Sequence, residues 1–162
     1  MISKCRESEH SGDLMDQTWG DWDQGWMTAL EPLEACHVQQ SVLSRRLAVR
    51  EMRHGKWRTR CVDHHTESVI NETIWSNRKI KQDNLDMLWW LIYFFFFLGI
   101  FIEMSKGDIS SAYRRLPLRS EHVKYAGVVF MHQGALYVSY HKSLSFGATS
   151  SCFGWHRISN QH

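Results

Sequence analysis

Between Arg45 and Arg60 the chain carries Arg45, Arg46, Arg50, Arg53, Lys56, Arg58 and Arg60, opposed only by Glu51. A local field of that sign suits a polyanion such as nucleic acid, and a solvated basic face with no ligand has the same composition. A second polar cluster lies between Lys106 and Leu118, where Asp108 stands ahead of Tyr113, Arg114 and Arg115. Read singly, Asp108 is a helix cap of the kind aspartate often provides, the two arginines are solvated charges, and Phe146-Gly147 is an ordinary turn. Ten histidines, among them the pair His64-His65, raise the question of a metal. Adjacent residues point to different sides of a helix or strand, however, and no HExxH-like spacing occurs. Cys5, Cys36, Cys61 and Cys152 form no CxxC pair. No zinc or disulfide framework is therefore readable, and a reducing intracellular compartment, cytoplasmic or nuclear, is the default expectation.

The elements that must hold these residues follow from periodicity. With 162 residues, 43% hydrophobic and 22% charged, the chain has the composition of one globular domain able to bury a modest core. Trp19, Trp22, Trp26, Leu30 and Leu33 recur at helical spacing and predict a core-packing stripe, weakened by Gly20, Gly25 and Pro32. Residues 1–18 are expected to be frayed. Val42 to Met52 reads as an amphipathic or extended element, His54-Gly55-Lys56 as a turn, and Trp57 to Val62 as a strand with basic residues interleaved. From Glu103 a short strand is expected to run to Asp108, followed by a helical turn from Ser110 to Leu116 and a break at Pro117. Val123 to Phe130 and Ala135 to His141 are rich in β-branched and aromatic residues and read as a hairpin. Phe146 to Ile158 reads as a glycine-led helix. Strand, helical turn, hairpin and helix in that order make an α+β layer, with helices packed on an antiparallel sheet.

Taken in order, these segments resemble a reverse transcriptase. Lys106–Leu118 resembles motif A, in which an aspartate ends a palm strand and an aromatic follows five residues later; Asp108 and Tyr113 match those positions. Ser145 to Ile158 resembles motif B, whose signature is Pro-Phe-Gly before a helix of small and aromatic residues; Phe146 and Gly147 match, and Ser145 replaces the proline. Upstream, Gly55 to Asp63 and Glu67 to Asn71 look like the fingers strand, with Arg58 or Arg60 at its basic position, Asp63 at its acidic one and Asn71 at the asparagine that follows. The likeness covers about residues 40–158. It implies partial fingers and palm of a right-hand polymerase and template-directed nucleotidyl transfer by two-metal catalysis. Asp108 would bridge two Mg2+ ions about 3.5–4 Å apart. Tyr113 would lie under the sugar of the incoming dNTP and exclude a 2′-hydroxyl. Gly147 would let the backbone approach the nascent base pair, and Arg58 or Arg60 would hold the triphosphate. The implied partners are an RNA or DNA template-primer and a dNTP.

The implied layout is a polar, Trp-containing extension over 1–39, a fingers-like segment over 40–86, an apolar insert or connector over 87–102 and a partial palm over 103–162. Two departures from the family stand out. No pair of adjacent aspartates occurs in the sequence, whereas the family carries a Tyr/Phe-x-Asp-Asp hairpin beyond motif B. The chain is therefore expected to be a fragment that does not polymerise alone. The second departure is Leu88 to Ile102, a run with no charged residue. As a helix it would span roughly 22 Å against a bilayer core of about 30 Å, and basic residues flank both ends. A non-catalytic nucleic-acid-binding remnant and a small single-pass membrane protein anchored by 88–102 are the competing readings.

Overall fold

The computed structural model describes residues 2–75, 80, 84–105 and 107–159. The chain forms two compact units, one from Met1–Trp75 with Ser111–His162 and the other from Ser76–Ser110.

The larger unit begins with helix α1, Ser11–Asp23, where the sequence predicts fraying. Its stripe Ser11, Leu14 and Thr18 is buried, and Asp21 continues that stripe one turn on. Gly25 (φ 74°) ends the helix: its N–H bonds the Trp22 carbonyl at 2.8 Å and the Trp26 N–H bonds Asp21 at 2.9 Å, a left-handed cap that glycine adopts without a Cβ penalty. The tryptophans do not form the expected core stripe. Trp19 and Trp22 are each 40% exposed and pack edge-to-face on one another at 5.1 Å, because Ser11, Leu14 and Thr18 form the buried face of α1 instead.

The strands are β1 (Glu31–Pro32), β2 (Leu43–Arg53), β3 (Lys56–Asp63), β4 (Gly127–His132) and β5 (Ala135–Tyr140). The short helix α2 (Ile70–Thr73) follows β3. Helix α3 (Leu85–Phe97) belongs to the smaller unit, and α4 (Thr149–Ser159) is the last element of the larger one. The fold is α+β, with the strands in the order β1-β5-β4-β2-β3. The sheet is mixed where an antiparallel one is expected from sequence: Leu43, Ser44 and Arg45 of β2 pair in parallel with Gly127, Val128 and Val129 of β4. The reason is topological. β2 and β4 belong to separate hairpins, and the chain returns between them to the same end of the sheet.

Both hairpins turn on an X-Gly pair with two positive φ angles, His54-Gly55 (51° and 74°) and Gln133-Gly134 (50° and 76°). This geometry matches the right-handed twist of the flanking strands. Side chains then alternate across the sheet. Val129 and Val138 pack with Cys5 and Leu43 on one face, whereas Phe130 packs with Leu14 and Leu30 on the other. Each such large apolar side chain contributes about 1.5–3 kcal/mol on burial. A 3-10 segment, Ser120–Tyr125, occupies the start of the expected strand, so β4 begins only at Gly127.

The smaller unit holds α3 of the apolar run. The Asn84 side chain accepts from the Met87 N–H at 2.9 Å, and Gly99 (φ 68°) closes the other end, with the Ile100 N–H bonding Phe95 at 3.0 Å. None of its residues is buried; Trp89 and Trp90 are 66% and 67% exposed. Among the described residues no helix is long and apolar enough to cross a membrane. The strand expected to end at Asp108 is absent: the described residues 100–109 have no regular structure. That stretch pairs with no other strand, and a strand without a ladder partner leaves its backbone donors and acceptors to solvent.

The most crowded glycine is Gly127 at the start of β4, where a Cβ would lie 2.5 Å from Leu43 Cδ2, 2.9 Å from Tyr140 Cε1 and 3.0 Å from the Val42 carbonyl oxygen. Gly127→Ala should therefore destabilise the larger unit by about 1–3 kcal/mol, read as a lower urea midpoint. An unchanged midpoint would show that the two strands are less closely apposed.

Candidate functional site

The register of the β2–β3 hairpin sets Arg46 opposite Asp63, both pointing under the sheet toward α1. Arg46 is 3% exposed, and its guanidinium makes two hydrogen bonds and an ion pair, with the buried Nε and Asp63 Oδ1 left without a hydrogen-bond partner. Nε lies 3.5 Å from Asp63 Oδ1, Nη1 donates to the Met27 sulfur at 3.0 Å, and Nη2 donates to Asp21 Oδ2 at 2.9 Å. The same Asp21 oxygen accepts from Arg114 Nη2 at 3.0 Å. Arg114 Nη1 then reaches His141 Nδ1 at 2.6 Å, and His141 Nε2 reaches Asp63 Oδ2 at 2.8 Å. The five side chains close a ring. Because a guanidinium can only donate, His141 Nδ1 must accept, so its single proton sits on Nε2 and is donated to Asp63. Two carboxylates, two guanidiniums and a neutral imidazole leave the ring without net charge.

The titration behaviour follows from that composition. Burial pushes the Asp63 carboxyl up, but Arg46 and then His141 outweigh it and hold the group well below the ordinary carboxylate range. Burial likewise opposes the charge on Arg46, and Asp63, Cys61 and Asp21 more than restore it. His141 is lowered, first by burial and then by Arg114 and Arg46, against the pull of Asp63.

A second buried chain begins at His65, 2% exposed, whose Nδ1 and Nε2 each lie 2.9 Å from a hydroxyl, Ser44 Oγ and Ser145 Oγ respectively. Ser44 Oγ continues to Ser68 Oγ at 2.8 Å, and Ser151 Oγ donates to the Ser145 carbonyl at 2.6 Å. Ser145, the departure from the Pro-Phe-Gly signature, thus makes a side-chain hydrogen bond that proline cannot. All these hydroxyls are buried, so the serine–histidine pairs order the loop and have no opening to a substrate. Burial lowers the His65 pKa as well.

The chain around Asp63–Asn71 therefore wraps the loop Ser145–Gly147. Asn71 Nδ2 donates to the Gly147 carbonyl at 3.1 Å and its Oδ1 accepts from the Thr149 N–H at 2.9 Å, satisfying a free donor at the start of α4. Gly147 has φ 86°, and a Cβ there would lie 3.3 Å from the Asp63 carbonyl. Opposite this loop, the 3-10 turn Ala112–Arg115 presents Tyr113. Its ring meets Phe146 at 5.1 Å and Trp155 at 6.3 Å, both edge-on, and its hydroxyl lies 3.7 Å from Cys152 Sγ. Phe146 remains 54% exposed.

The residues singled out in the sequence thus occupy different places. Tyr113, Phe146 and Gly147 come together, with Asn71 behind them. Asp63 adjoins them through its backbone, but its carboxylate is committed to Arg46 and His141. Arg58 is exposed on β3. Arg60 is ion-paired with Glu51 at 2.6 Å, on the hairpin that also stacks the Arg50 guanidinium 5.0 Å over the Trp57 ring. Asp108 is exposed and belongs to the smaller unit. Among the described residues no three His, Cys, Asp or Glu side chains converge as metal ligands. Sequence reasoning misses Asp21 and His141 altogether and reads Arg114 as a surface charge. The one available signal was an aspartate on the buried stripe of α1. No known protein family matches the chain, and no curated protein matches it.

Two outcomes test this geometry. Asp63→Asn strands the buried Arg46 charge and should cost about 3–5 kcal/mol of stability, whereas Arg58→Ala should stay within about 0.5 kcal/mol. Equal effects in a urea titration would contradict the ring. His65 and His141 are both held neutral in the fold but take up protons near pH 6.5 once unfolded, so the folded state binds fewer protons below that pH. Stability should then fall as pH drops from about 6.5, by up to about 1.4 kcal/mol per pH unit for each histidine until the folded form also protonates. A urea midpoint constant between pH 7 and pH 5 would count against both buried imidazoles being neutral.

Proposed function

We propose that the chain is a fingers-and-palm portion of a retroelement reverse transcriptase that acts inside the cell and does not polymerise on its own. The observation that carries the reading is the meeting of Tyr113 with Phe146 and Gly147. Residues matched to two separate polymerase motifs form one aromatic edge, half-buried at Tyr113 and exposed at Phe146, beside a glycine with positive φ. On this reading the edge receives the sugar and base of a dNTP, and Tyr113 disfavours a 2′-hydroxyl. The exposed cations Arg53, Lys56 and Arg58 on the β2–β3 hairpin supply the field for a template-primer. Magnesium chemistry and Asp108 as its ligand are part of the proposal. The absence of an adjacent aspartate pair from these 162 residues is the ground for expecting no turnover.

A second reading is a nucleic-acid-binding remnant without a nucleotide site, and the basic hairpin with its exposed Trp57 favours it. Fluorescence anisotropy with a labelled RNA–DNA primer-template separates the two. Binding should weaken steeply with salt, and Arg58→Ala should lower the salt slope by about 1. Added dTTP should quench or shift the fluorescence of Trp155 behind Tyr113, and Tyr113→Ala should abolish that response. Primer-template binding with no dTTP response selects the remnant; no binding of either kind refutes both.

A further inference from the structure

We propose that Arg114 and His141 are positioning residues for Tyr113: the Arg114–His141 bond ties the turn that presents the aromatic to the end of β5, and only an uncharged His141 can make it. The inference rests on the nucleotide reading of Tyr113 and adds a response to proton concentration.

Arg114 is the chain neighbour of Tyr113 in a 3-10 turn of four residues, an element with little hydrogen bonding of its own. The Arg114 guanidinium ties the turn itself under the sheet, bonded to Asp21 Oδ2 at 3.0 Å and to His141 Nδ1 at 2.6 Å, while just beyond the turn the Leu144 N–H bonds the Leu116 carbonyl at 2.9 Å and the Leu118 N–H bonds the Lys142 carbonyl at 2.7 Å. His141 is faced by Asp63 from β3, by Arg114 from the turn and by Arg46 from β2, with Asp21 of α1 beyond both guanidiniums. A second proton on His141 must go to Nδ1, where it sets N–H against N–H across the shortest contact of the ring. Asp63 welcomes the added charge; Arg114 and Arg46 oppose it. Arg46 is pinned, with its side chain 1% exposed and three partners, whereas Arg114 is 9% exposed and lies on a 3-10 turn of four residues. Arg114 is therefore the member that leaves, and Tyr113 moves off Phe146 and Trp155 with it. Burial and the two guanidiniums keep His141 uncharged near neutral pH, so the aromatic edge is assembled there and comes apart in acid.

Nuclear magnetic resonance of the full chain, with 15N-histidine and 13C-tyrosine labels, tests this. At pH 7 His141 should show the Nε2–H tautomer. On acidification its protonation and a shift of the Tyr113 ring signal should share one midpoint, below that of a free histidine. Arg114→Lys keeps the charge but cannot bridge both partners, and it should displace the Tyr113 ring signal already at pH 7, even if the chain unfolds in acid. A Tyr113 signal that stays put in Arg114→Lys, or while His141 protonates, overturns the proposal. Added dTTP separates the two claims. If Tyr113 follows His141 but ignores dTTP at pH 7, the positioning role stands and the nucleotide reading fails; if it responds to dTTP but not to His141, the reverse holds.

Discussion

One carboxylate oxygen, Asp21 Oδ2, accepts hydrogen bonds from two guanidiniums that arrive from opposite parts of the chain, Arg46 at 2.9 Å and Arg114 at 3.0 Å. Around that shared acceptor the larger unit is assembled. α1 supplies the oxygen, β2 and β3 supply Arg46 and Asp63, and the end of β5 supplies His141, which closes the circuit. In a low-dielectric interior each of these contacts is strong only while the others are present, because removing one member leaves an opposite charge without water or partner. The apolar clusters on the two faces of the sheet give most of the burial. They do not dictate which residue of the turn Ala112–Arg115 faces inward; the ring does.

From the ring outward, each contact fixes the next. Asp63 ends β3 at the point where its carbonyl comes within 3.3 Å of a Cβ position on Gly147, so the polar segment after β3 is forced against the loop before α4. His65 and Asn71 then bond that loop on both sides of Phe146. Arg114 brings Tyr113 to the same loop from the other direction. The exposed aromatic edge is thus the far end of a buried polar scaffold, and residues that touch no ligand decide its geometry. At Ser145 the loop is held by a hydrogen bond between the serine hydroxyl and His65 Nε2, a contact that a proline at this position could not make.

How much of this was legible in the sequence depends on the range of the signal. The β4–β5 hairpin and the turn and second strand of the β2–β3 hairpin could be read from the sequence, since strand composition and turn chemistry are local, whereas Val42 to Met52 was left as amphipathic or extended. The turn after Ser110 and the helix of α4 were readable for the same reason. The parallel β2–β4 pairing was not, because nothing in either strand encodes the direction of its neighbour. The ring was hidden for a related reason. Asp21, Arg46, Arg114 and His141 are ordinary polar residues until partners 17 to 93 positions away meet them. Trp19 and Trp22 misled in the other direction: their spacing is helical, but the smaller side chains of α1 fit the sheet more closely and turned the indoles outward. In the smaller unit the apolar run is plain in the sequence, and its helix is capped at both ends, with a leucine- and phenylalanine-rich surface that remains exposed and prone to association.

The most direct test of the central claim, that one polar ring couples α1 to the turn carrying Tyr113, is a double-mutant cycle on the full chain. Asp21→Asn, Arg114→Gln and the double variant would be compared by urea denaturation. The ring predicts strong non-additivity, with the double variant less destabilised than the sum of the single ones by about 1–3 kcal/mol. Additive effects within about 0.5 kcal/mol would mean that the two residues act independently, and the account of how Tyr113 is positioned would fail with them.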